Sequence, residues 1–135
     1  MVLGGGRRWF YPEGLKDLKG VEGRRKDGLN LIEEWKKDKA GKNASYSYVI
    51  NRRELLHLEK PLDYLLGLFS PNHMDYHLEA LAEDPTLAEM TEEAIKHLRS
   101  SPKGYFLFVE GGRIDHGHHD NMVNRLNVDD PILKF

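Results

Sequence analysis

Residues 105–119, YFLFVEGGRIDHGHH, constrain the fold of this chain more than any other stretch. An apolar run ends at a carboxylate, Glu110. Two glycines follow, and then Asp115, His116, His118 and His119 within one short segment. A short uninterrupted apolar run predicts a strand buried on both faces, here residues 105–109. Such strands belong to parallel sheets with helices on either side. In open sheets of that kind ligands bind just beyond the carboxyl ends of the strands. The carboxylates and imidazoles therefore fall where a metal-dependent site is built. Asp115 and His119 are separated by one helical turn and so share a helix face. A carboxylate with an imidazole suits Zn²⁺, whereas the isolated carboxylate of Glu110 suits Mg²⁺, which takes oxygen ligands. The same cluster also reads as a polar surface loop, and spacing alone leaves both readings open.

The remaining chain predicts the same architecture. Val2 and Leu3 run into Gly4-Gly5-Gly6, a strand end entering a glycine turn; no Gly-Lys-Ser/Thr follows, so this is not a P-loop. Residues 7–28 are polar and predict an exposed loop anchored by Trp9, Phe10 and Tyr11, with Arg24 and Arg25 on the surface. Leu29, Ile32 and Trp35 recur at helical spacing. Residues 46–50 and 64–69 read as strands, and between them Asn51 caps a short helix running to Leu58. Asp84 as N-cap and Pro85 at the first helical position open a helix with Leu87, Met90, Ala94, Ile95 and Leu98 on its apolar face. The order strand, helix, strand, helix, strand predicts an α/β fold, a partial doubly wound sheet with helices on both faces. Residues 1–120 form one domain segment, and residues 121–135 have no convincing period and read as a divergent tail.

Composition narrows the function. The formal net charge of −2 lacks the basic footprint of a nucleic-acid binder. No apolar run reaches the ~18 residues a membrane span requires. Cysteine is absent, so no disulfide framework exists to read. Asn43-Ala44-Ser45 is a glycosylation sequon that matters only on a secretory route. Met1 leads directly into a strand fragment without a charged leader, which reads as a piece of a longer protein.

The wider string VEGGRIDHGHHD, residues 109–120, closely resembles the metal-binding signature of the alkaline phosphatases. VLGGGR at 2–7, DGLNLIEEW at 27–35, LLGLF at 65–69 and DPTLAEMT at 84–91 match that family in order and spacing. His116 stands where the bacterial form has Lys, which points to the animal branch. The resemblance implies hydrolysis of phosphate monoesters by a serine nucleophile flanked by two zinc ions and one magnesium ion. By the same resemblance Glu110 is a magnesium ligand, Asp115 and His119 are two of the three protein ligands of one zinc, and His116 lies near the water network of the phosphate. Animal members also hold calcium, and Phe69 and Asp84 match two of its positions, although Ser70 replaces the expected Glu. The implied parent is a homodimer on the extracellular face of the plasma membrane, held by a glycolipid anchor whose signal is not read in this chain. Arg113 is expected to be a packing or ion-pair residue and His118 a structural or exposed one. His57, His73, His77 and His97 match no family role. The serine motif, the Asp-His pair of the second zinc and the last histidine of the first have no counterpart here. The chain therefore reads as an internal segment, inactive alone. The alternatives are a non-catalytic metal-binding or interaction remnant of the same fold, and an unrelated metallohydrolase sharing the local cluster.

Overall fold

A computed structural model describes residues 1–58 and 62–121. Strands β1 (Val2–Gly4), β2 (Tyr46–Val49) and β3 (Tyr64–Leu68) form a parallel sheet in the order β1-β3-β2. Val2 lies opposite Leu66 and Tyr46 opposite Tyr64. The helices are α1 (Leu31–Gly41), α2 (Arg52–Leu56), α3 (Leu87–Leu98) and α4 (Gly112–His119).

The central strand β3 explains the layering. Its side chains alternate, as the pleat requires. Leu65 and the following Phe69 pack with Val49, Leu55 and Met90 on one side, where α2 and α3 lie. Leu66 and Leu68 pack with Tyr11 and Ile32 on the other, under α1 and the segment after β1. Both faces are therefore covered, as the apolar strands required. Each fully buried leucine contributes roughly 1.5–3 kcal/mol.

Local chemistry sets the helix starts. The Asn30 and Asn51 side chains accept from the Glu33 and Glu54 amides at the first turns of α1 and α2. At α3 the structure corrects the expected start. The N-cap is Thr86, not Asp84, and Pro85 precedes the helix. Thr86 and Glu89 form a reciprocal capping box that satisfies two orphan amides, which an Asp-Pro start does not. The Asp84 carboxylate instead accepts from the Leu81 amide at 3.3 Å. The buried stripe of α3 is Met90, Glu93, Ala94 and His97, and the expected core residue Ile95 is exposed.

Residues 105–109 do not form the expected strand. Phe106 and Phe108 are 87% and 73% exposed. An apolar run becomes a buried strand only beside a hydrogen-bonded neighbour. The outer edges of β1 and β2 remain open in the order β1-β3-β2, but none of the described strands pairs with this segment.

The reading of residues 7–28 as an exposed loop is also corrected. Arg7–Trp9 form a 3-10 turn, Trp9 is exposed, and Tyr11 is the buried aromatic. Arg7 and Asp17 are buried, and their side chains pair at 2.6 Å. Arg7 Nη1 also donates to the Leu68 and Phe69 carbonyls at 2.8 and 3.1 Å. The Asp17 carboxylate accepts from the Lys19 and Val21 amides. Buried charges persist only when paired and hydrogen-bonded in this way.

Burial pushes the Asp17 carboxyl up, but hydrogen bonds from Arg7 and the Val21 amide, with the Arg7 charge, outweigh it and hold the group below its ordinary 3.8. A carboxyl depressed in the folded state stabilises the fold above its unfolded pKa of about 3.9, and that contribution is lost as pH falls through the folded value. Thermal unfolding followed from pH 7 to pH 3 should show the midpoint dropping below about pH 4. Asp17→Asn should flatten that slope and cost about 3–5 kcal/mol at neutral pH; an unchanged slope would contradict the pairing. A second expectation concerns Gly5. A Cβ there would stand 2.2 Å from the Asn72 carbonyl oxygen, a backbone atom with no room to yield. Gly5→Ala should lose about 1–3 kcal/mol in urea denaturation, and an unaltered midpoint would show that the turn is not closely packed.

Candidate functional site

A cavity of about 1210 Å³ opens at the carboxyl ends of β1 and β3. The glycine turn after β1, the segment after β3 and the first turns of α4 line it. The glycine turn is stitched to the exit of β3: the Gly6, Arg7 and Arg8 amides donate to the Asn72, Ser70 and Pro71 carbonyls. Gly6 takes φ +86°, which glycine adopts without a Cβ penalty. The two strand exits are thereby fixed side by side at the mouth of the sheet.

Three of the residues singled out in the sequence, Glu110, Asp115 and His116, line this cavity. Glu110 lies just before Gly111, the N-cap of α4, and its Oε1 lies 3.6 Å from where a Cβ on Gly112 would stand. Asp115 and His119 share a face of α4, with Oδ2 and Nε2 3.5 Å apart and side chains 73% and 78% exposed. That separation is long for an ion pair. It is close to the edge of a zinc tetrahedron, about 3.3 Å for ligand bonds near 2.0–2.1 Å. The donor types and spacing therefore fit a zinc ion, but only in part. Among the described residues no three His, Asp or Glu side chains converge to hold a metal by themselves.

His116 is half-buried and tied to its surroundings. Its Nδ1 is 3.1 Å from Arg113 Nη1, and its ring meets the His73 ring edge-to-face at 4.6 Å. Arg113 Nε donates to the Met74 carbonyl at 2.6 Å, and the guanidinium lies over the Tyr76 ring at 4.4 Å. Arg113 is thus a packing residue, as expected, and it links α4 to the segment after β3. His73, for which the sequence offered no role, lines the cavity against His116. No local spacing signals that contact, because it joins segments far apart in the chain. His118 is exposed, and neighbouring Asp120 accepts from the Tyr76 hydroxyl at 3.2 Å.

The two residues matched to calcium differ in setting. Phe69 is buried in the core, where its carbonyl accepts from Arg7. Asp84 lines the cavity. Asn43 is exposed in the turn after α1, with φ +52°. Of the remaining histidines, His97 is buried and its Nδ1 donates to the Glu93 carbonyl, while His57 and His77 are exposed. Among the described residues no helix is long and apolar enough to cross a membrane.

Comparison with known proteins bears on this site. The chain is 53% identical to a membrane-bound alkaline phosphatase of Bombyx mori over 134 residues, covering 98% of this chain and 24% of that protein. It is 46% identical to the tissue-nonspecific isozyme of alkaline phosphatase from Homo sapiens over 132 residues, covering 93% of this chain and 25% of that one. The crystal structure of Thermus thermophilus alkaline phosphatase superposes with a TM-score of 0.75 at 31% identity, covering 98% of this chain and 26% of that one. The chain therefore spans about a quarter of the length of the curated relatives it matches. The family model described as alkaline phosphatase matches residues 1–128, and with relatives near half identity on nearly the full chain, this protein belongs to the alkaline phosphatase family.

Proposed function

We propose that this chain is part of a metal-dependent phosphomonoesterase and supplies one wall of its active site. The observation that carries the reading is the meeting of Glu110, Asp115 and His116 on one cavity at the carboxyl ends of parallel strands, in a chain of this family. Asp115 and His119 are the residues that hold a zinc ion, and their 3.5 Å separation supports the pairing. Glu110 offers its two carboxylate oxygens to magnesium from the same rim. When bound, such ions stabilise the attacking and leaving oxygens of an in-line displacement at phosphorus.

The chain's own residues position the substrate. The glycine turn and the start of α4 both line the cavity, whose volume of about 1210 Å³ leaves space for a phosphate monoester. His116 contributes a nitrogen toward the phosphate and its waters. Because the chain spans about a quarter of its relatives' length, the reading assigns the nucleophile and the further metal ligands to the rest of a longer enzyme. The alternative of a non-catalytic remnant is not favoured by any single contact. The Bombyx mori relative is a membrane-bound alkaline phosphatase, which supports membrane association of the whole enzyme. The exposed sequon at Asn43 is compatible with placement on the extracellular face.

Two assays test this reading. The 135-residue chain alone, supplied with zinc and magnesium, should show no turnover of a chromogenic phosphate monoester above a metal-only control, because it brings no nucleophile. Grafted in place of the matching quarter of the Bombyx mori enzyme, residues 1–121 should support turnover. Asp115→Asn in the graft should lower kcat/KM by about 100-fold or more. A folded graft without activity, or an Asp115→Asn graft with full activity, would exclude the proposed role.

A further inference from the structure

We infer that the corner where β3 runs into Ser70 does not hold calcium in this chain, although the family resemblance implies an ion there. The donor set carries the inference, which stands apart from the phosphomonoesterase reading. Calcium takes about six to eight oxygen ligands, and the number of charged ones tunes its affinity. Of the positions matched to it, Phe69 offers a neutral carbonyl and Asp84 one carboxylate. Ser70 offers a neutral hydroxyl where a carboxylate is expected.

The charges around these residues are already matched. The Phe69 carbonyl oxygen accepts from Arg7 Nη1 at 3.1 Å, and the Ser70 carbonyl accepts from the Arg7 amide at 3.0 Å. A guanidinium stays protonated, so a calcium ion on the Phe69 oxygen would face a fixed positive charge. Asp17 balances that charge by pairing with Arg7 at 2.6 Å. The Asp17 carboxylate also accepts from the Lys19 amide at 2.9 Å. The Lys19 ammonium lies 3.3 Å from the carboxylate of Glu83, one residue before Asp84. Asp17 with Arg7, and Glu83 with Lys19, thus cancel in pairs. Asp84 is the matched position that keeps a negative side chain, and it accepts from the Leu81 amide at 3.3 Å. Asp75, Glu110 and Asp115 line the same cavity, but among the described residues no three acidic or imidazole side chains come together. A divalent ion set against Arg7 with one matched carboxylate lacks the ligand charge that calcium requires. Arg7 and Lys19 instead join the segment after β1 to the exit of β3 and to the residues before α3.

Calcium titration of the 135-residue chain, free of other metals and followed by calorimetry and thermal unfolding, tests the inference. The wild-type chain should bind no calcium at this corner tighter than about 10 mM, weaker than the ~0.1–1 mM of extracellular calcium modules. Its unfolding midpoint should stay the same with and without about 1 mM calcium. Ser70→Glu combined with Lys19→Gln supplies a second matched carboxylate and releases Glu83. That double variant should bind calcium at least about tenfold more tightly and gain a calcium-dependent rise in midpoint. A wild-type midpoint that rises in calcium, with the rise abolished by Asp84→Asn, overturns the inference with no redesigned site needed. A folded double variant that binds calcium no better than the wild type overturns it too, because charge at position 70 then does not decide the matter. Neither zinc nor turnover enters the measurement, so its failure is separable from failure of the graft.

Discussion

The buried pair of Arg7 and Asp17 is the contact on which the mouth of this sheet depends. Arg7 leaves the glycine turn after β1 and reaches the last carbonyls of β3, while Asp17 closes the other side of its guanidinium. Removing one partner leaves an uncompensated buried charge, a loss of about 3–5 kcal/mol, whereas an apolar pair of the same shape costs little. What the ion pair contributes is therefore a single arrangement of two strand exits. That arrangement is propagated. The turn amides fasten the segment after β3, and its Met74 carbonyl and His73 ring hold Arg113 and His116 of α4.

The site built on this frame is one-sided. Asp115 and His119 are oriented by their shared helix and by each other, and both remain largely exposed. His116 is held by two neighbours on two segments, Arg113 and His73. On the proposed reading, the exposed pair is the part of the zinc site that this chain would supply. That proposed share accords with a chain that spans about a quarter of its relatives' length.

The features legible in the sequence were those written by local physics. β2 was readable from a β-branched and aromatic run and β3 from an apolar one, and the cap at Asn51 follows from a side chain that satisfies a nearby amide; the cap at Asn30 appears only in the structure. The helix over Leu87–Leu98 was visible, but its start was not, because a Thr86–Glu89 box outcompetes an Asp-Pro signal. Residues 105–109 carried the pattern of a buried strand and yet pair with none of the described strands, since a pattern specifies burial without supplying the neighbour that provides it. The Asp115–His119 pair was legible because one helical turn joins its two members. Arg7 and His73 were not, because each gains its role from a partner on a distant segment.

The central claim is that Asp115 and His119 grip one ion beside Glu110 at the carboxyl ends of these parallel strands. Anomalous diffraction at the zinc edge, from crystals of the Bombyx mori graft grown with zinc, tests it most directly. A peak about 2.0–2.2 Å from both an Asp115 carboxylate oxygen and His119 Nε2, with Glu110 on the same rim, is the predicted result. Zinc bound elsewhere, or Glu110 and His119 on opposite sides of the molecule, would contradict it.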